Sequence, residues 1–255
     1  MVRIVVVASA NPEDYTSRGR IVTPLKDRYA AQIRTHYPKT RELELAVVEQ
    51  EAHIAGIEGV EVFVPSFVKK LIAEITFQAR ISPDVNQASG VSVRLSIANY
   101  ETLIANALRR AMRHHDGQAV PRISDLRALH SSIMGKLEFE YAAPNRTESE
   151  IVEEIIKRAV LVVFDAVVGE TPMHKPIIDA FNHGWMVELT DMSSCKEFVE
   201  GMDKIDGLRA AALQLSEGDS APRVASAIEF ILEGLHLHNK LNKVASERGV
   251  AYGQS

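Results

Sequence analysis

Between positions 41 and 241 the apolar residues recur every three to four places, and this spacing constrains the fold more than any other feature of the chain. Residues 66–80 set Phe67, Val68, Leu71, Ile72, Ile75 and Phe77 along one broad stripe, the pattern of a helix with a face in a core. Pro65 opens that segment, where a proline suits a helix start. Residues 97–114 repeat the pattern with Tyr100, Leu103, Ile104, Ala107, Leu108 and Ala111, and residues 41–55 follow Thr40 with Leu43, Leu45, Val47, Val48 and Ala52. A shorter helix is expected over 124–134, and four helices on short links predict a small bundle. After a boundary at 142–146, Thr147 with Glu150 three residues on is a capping-box pattern that starts a helix running to about position 168. Further helices are expected over 173–182, 195–215 and 221–241, and the tail from Val244 onward reads as frayed.

The N-terminal segment is different. Residues 4–8, Ile-Val-Val-Val-Ala, form an apolar, β-branched run that reads as a fully buried strand of a parallel sheet. Such a strand needs neighbours, and the next candidate, 31–35, is short. The expectation is that the chain is a truncated piece of a longer protein. Pro24 after Thr23 marks a helix start. The fold class expected is mainly α with a small α/β remnant.

Bulk properties narrow the function classes. With 46% hydrophobic residues the chain can bury a sizeable core, and a net charge of −5 gives no basic excess to draw it to nucleic acid. No helix-turn-helix with a basic recognition helix is visible. The most apolar run, 159–168, is broken by Asp165 and is about half the length that spans a bilayer, so no membrane partner is expected. The single cysteine, Cys195, can form neither an internal disulfide nor a cysteine zinc site, which favours a cytoplasmic home. No metal site is expected: His114-His115 and His236-x-His238 lack a second ligand pair and read as solvated helix ends. Arg109, Arg110 and Arg113, near Arg122 and Arg127, read as a solvated basic face.

Three places carry residue types suited to phosphate chemistry. Asn11 follows the 4–8 run, at the strand end where open α/β sheets bind ligands, and its amide can both donate and accept. Arg28 lies in Thr23-Pro24-Leu25-Lys26-Asp27-Arg28-Tyr29, and a forked, permanently charged guanidinium suits phosphate oxygens. Arg94, in Ser89-Gly90-Val91-Ser92-Val93-Arg94, is placed at a helix start, where free N–H groups favour an anion. The plainer readings are a turn-forming asparagine, an Arg28 salt bridge to Asp14 or Asp27, and an Arg94 salt bridge to Asp84 or Glu101.

These motifs, in this order, resemble those of the AAA+ ATPases of the magnesium-chelatase subunit I and MoxR-like type. The string VVVASANPEDYTSRGRIVTPLKDRYAAQIRTHYP resembles their sensor-1 to arginine-finger stretch, and SGVSVRLSIANYETLIANALRRAM resembles their lid segment with its sensor-2 arginine. The resemblance covers nearly the whole chain. It implies that Asn11 is the sensor-1 residue, Arg28 the arginine finger, Arg18 a second finger candidate and Arg94 the sensor-2 arginine. It further implies that 1–38 is the end of an AAA+ α/β core, 39–141 a helical lid and 147–255 a C-terminal helical region. ATP and Mg²⁺ are the implied cofactors. A homo-oligomeric ring, a hexamer in the family, and a von Willebrand A-type protein are the implied partners. The family's Gly-x-x-x-x-Gly-Lys-Ser/Thr loop is absent: Gly135-Lys136 is followed by Leu137, with His130 where the first glycine should stand. Leu161-Val162-Val163-Phe164-Asp165 imitates a Walker-B run, but it follows sensor 1 and continues a capped helix, so Asp165 reads as an ordinary helix residue. A second reading, a non-enzymatic helical adaptor or interaction module derived from such a protein, stays open on sequence alone.

Overall fold

The apolar stripes become helices at nearly the expected places. A computed structural model of the chain describes residues 4–9, 24, 27–87, 89–140, 146–169, 171, 174–190, 194–246 and 249–254. It divides into two units, Met1–Tyr37 and Pro38–Ser255.

In the first unit Ile4, Val5, Val6 and Val7 are exposed and belong to no strand. This corrects the expected buried strand. Residues 31–35 are not a strand either, so among the described residues the run has no ladder to join. Pro24 is helical and Arg28 lies in an exposed turn.

The second unit begins with α1 (Arg41–Glu51), whose N-cap Thr40 accepts from the Leu43 N–H. A short strand β1 (Glu61–Val62) leads into α2 (Ser66–Ile81), and α3 (Arg94–His114) follows. Strand β2 (Gln118–Ala119) pairs in parallel with β1. A 3₁₀ turn (Ile123–Ala128) runs into α4 (Leu129–Met134), then α5 (Glu148–Val167) and α6 (His174–Asn182). The α5 capping box forms as its sequence predicts: Thr147 Oγ1 accepts from the Glu150 N–H at 3.3 Å, and Glu150 accepts from the Thr147 N–H at 2.7 Å.

The expected 195–215 helix is two helices, α7 (Cys195–Met202) and α8 (Leu208–Leu215). The first ends at Met202, and Gly207 takes φ +78, a left-handed conformation, as the N-cap that opens the second. The helix α9 (Ala221–Leu237) is the centre of the unit. Val224, Ala225, Ala227, Ile228, Phe230, Ile231 and Leu232 are all wholly buried, the mark of a helix packed on every side. Phe230 stacks on Phe67 of α2 at 4.5 Å and meets Phe164 of α5 edge-on at 5.7 Å.

The tail is not frayed. Strands β4 (Asn242–Ser246) and β5 (Gly249–Gly253) form a hairpin, and β5 also pairs with β3 (Val187–Thr190), giving an antiparallel sheet of order β3-β5-β4. Val250 and Tyr252 alternate inward along β5 and are buried, which anchors the sheet on the helical core. The described architecture is therefore mainly helical with a small sheet. One hydrophobic cluster runs from Val48 to Tyr252, so segments 39–141 and 147–255 share a core.

Candidate functional site

Gly90 takes φ +70 and turns the chain so that Val91 is buried and Ser92 Oγ accepts from the Arg94 N–H at 3.3 Å. Arg94 is thereby the first residue of α3, with its side chain exposed. Both carboxylates expected as its partners are engaged elsewhere. Asp84 takes Arg146 Nη1 at 3.1 Å, and Glu101 accepts from the His53 N–H at 2.8 Å. Among the described residues Arg94 makes no ion pair. Nor does Arg28, which belongs to the first unit. Asn11 and Arg18 lie outside the described residues.

The expected basic face is a different object. Arg110 is buried, donates to Asp125 through Nη1 and to the Val120 carbonyl at 2.6 Å through Nη2. Arg122 is buried too, with Nη1 3.4 Å from Glu229 Oε1 and Nη2 against Cys195 Sγ. Asp125 holds the pair together: besides Arg110 it accepts from Asn106 and from the Arg122 backbone N–H at 2.8 Å. Two of the five arginines are thus part of the core, because burying a guanidinium requires carboxylates beside it. Burial pulls the Arg122 pKa down, yet Glu229, Cys195 and Asp125 together outweigh it and the net direction is up. Burial pushes the Cys195 thiol up to about 11, with Arg122 opposing and the bond to Asp116 assisting. The thiol donates to Asp116 Oδ2 at 2.9 Å.

A cavity of about 710 Å³ opens beside this network. Its floor is α9, which presents Glu229 and Glu233 four residues apart on one face. Glu229 Oε2 accepts from the Ser124 N–H at 2.9 Å. Glu233 Oε2 accepts from Lys243 Nζ at 2.6 Å and from the Tyr252 hydroxyl. Burial, then the Glu233 charge, raises the Tyr252 pKa far above its usual value, so the phenol stays a donor. Neither carboxylate stands out in the sequence. Each sits in a run that reads as core helix, and only their i, i+4 spacing marks them.

The histidines are also more engaged than solvated helix ends. His238 Nε2 meets Asp165 Oδ1 at 2.7 Å, tying the end of α9 to α5, and His236 Nδ1 donates to the Leu241 carbonyl at 2.9 Å. His115 does cap α3, in a left-handed conformation at φ 56. Among the described residues no group of three or more His, Cys, Asp or Glu is arranged to hold a metal ion, and no helix is long and apolar enough to cross a membrane.

Comparison of this fold and sequence with known families, curated proteins and solved structures gave no match in any of the three.

Proposed function

We propose that this chain is part of a magnesium-chelatase-like or MoxR-like AAA+ ATPase, a cytoplasmic ring subunit that uses ATP hydrolysis at subunit interfaces to remodel a partner protein or to assist metal insertion. The order of the three motifs along the chain supports the reading. The observation that carries it is Arg94: an exposed guanidinium on the first residue of a 21-residue helix, with both nearby carboxylate candidates already occupied. An exposed guanidinium at a helix N-terminus, without an ion pair among the described residues, suits a phosphate.

In this reading Arg94 binds the nucleotide phosphates and links their loss to movement of the helical unit. Arg28, with Arg18 beside it in sequence, stabilises charge on the γ-phosphate held by a neighbouring subunit. Asn11 orients the attacking water. ATP supplies the phosphoryl group; the magnesium that accompanies it rests on groups other than the described residues, which include no suitable cluster. A von Willebrand A-type protein is the partner this reading favours.

ATP hydrolysis by the assembled ring, expressed with the coding sequence upstream of Met1, is the test. Arg28→Ala lowers turnover by about 10³-fold or more if it is the finger. An unchanged rate in a correctly assembled ring refutes the assignment. An upstream reading frame with no phosphate loop favours the non-enzymatic adaptor instead.

A further inference from the structure

The cavity on α9 has a charge pattern that its own residues do not balance. Its three carboxylates are each matched: Glu229 by Arg122 at 3.4 Å, Glu233 by Lys243 at 2.6 Å and Glu153 by Lys157 at 3.7 Å. Two further cations line the same cavity, Arg109 and Arg127. Both are exposed, so they stand at its rim. Arg109 donates only to the neutral Asn106 amide, and neither arginine has an ion pair among the described residues. The contrast with Arg80, Arg110 and Arg122, each held by a carboxylate, sets these two apart.

Part of the lining is apolar, contributed by Ile123, Leu126, Ile156, Val160, Leu189 and Val250, alongside polar groups such as His130 and His236. A volume of about 710 Å³ lies in the range of small-molecule sites, which combine apolar walls with a few placed polar groups. We propose that this cavity binds a small organic anion, with its apolar body on these apolar residues and its phosphate or carboxylate on Arg109 and Arg127. The site lies on α3, the 3₁₀ turn, α5, α9 and the β3-β5-β4 sheet, away from Arg94 at the other end of α3. It stands whether or not the ATPase reading holds.

The assignment makes charge and apolar body both necessary. Isothermal titration calorimetry of the full chain with hexyl phosphate, inorganic phosphate and hexylammonium separates them. Hexyl phosphate is expected to bind at least about tenfold more tightly than inorganic phosphate, since each buried methylene adds to affinity. Hexylammonium, with the same chain and the opposite charge, is expected not to bind. The double variant Arg109→Gln/Arg127→Gln should weaken hexyl phosphate by about tenfold or more while thermal unfolding stays unchanged. Ala128→Trp, which keeps both arginines and fills the cavity, should abolish binding. No binding of hexyl phosphate, hexylammonium binding as tightly, inorganic phosphate binding as tightly, or affinity that survives both variants would each overturn the proposal.

Discussion

Gly234 is the position where the packing of α9 can be tested most sharply. A Cβ built on it would lie 2.0 Å from Phe164 Cδ2 and 2.2 Å from Cε2. Carbon atoms in contact prefer about 3.5–4.0 Å, so Gly234→Ala forces the ring or the helix to move by roughly 1.5 Å. The ring has nowhere to go. Phe164 is 2% exposed and is enclosed by Phe230, His174 and His238 with ring centroids 5.7, 5.8 and 5.6 Å away. Overpacking of this kind costs about 1–3 kcal/mol, and a severe overlap sits at the upper end. Alanine's better helix propensity returns about 1 kcal/mol. The net expectation is a loss of about 2 kcal/mol, read by urea denaturation, or a fall of about 4–8 °C in Tm for a unit of this size. Adding Phe164→Leu removes the ring edge that clashes, so the double variant should be less destabilised than the two single effects combined. If Gly234→Ala proves as stable as the wild type, the close approach of α9 to α5 is wrong, and with it the placement of Glu229 and Glu233 on the cavity floor.

Three further outcomes are expected. Asp125→Ala strands the buried Arg110 guanidinium and leaves the Arg122 backbone N–H without its acceptor, and should cost about 3–5 kcal/mol in chemical denaturation, whereas a surface carboxylate would cost under about 0.5 kcal/mol. Stability should fall as pH rises from 9 toward about 11, because the unfolded Cys195 thiol ionises at its ordinary value of 9.0 while the folded one holds its proton to about 11. The folded state binds the extra proton in that window, so the loss amounts to about 2–3 kcal/mol, and a Cys195→Ala chain measured over the same range should lose less. Arg94→Ala should leave unfolding within about 0.5 kcal/mol of wild type, since its side chain is exposed and makes no ion pair among the described residues; a larger loss would mean that the arginine is structural.

The helices are legible because their signals are local: a stripe of period 3.6 and, at some of them, a capping serine or threonine or a proline at the start. What escaped depends on partners far along the chain. The hairpin Asn242–Gly253 offers only two inward side chains on β5, Val250 and Tyr252, too few to show an alternating pattern against the background. The helix start at Gly207 needed a left-handed φ that one glycine among fourteen does not announce. The 4–8 run misled in the other direction, since β-branched residues favour a strand only when a neighbour completes the ladder.

The arginines make the same point for the site. Arg109, Arg110 and Arg113 fall within five positions, and Arg122 and Arg127 soon after, so in sequence they look like one surface. Their roles are set by carboxylates elsewhere. Arg110 turns inward to Asp125, fifteen residues away, and Arg122 meets Glu229 across a separation of 107. A guanidinium is buried only when such a partner is delivered by the fold, and left at the surface when it is not. Arg94 is the complementary case: the two acids near it in sequence are claimed by Arg146 and by the His53 backbone, which leaves it without an ion pair among the described residues. Sequence could therefore nominate Arg94 by motif and position, but the difference between a structural cation and one free to meet an anion rests on which carboxylates the fold has already engaged.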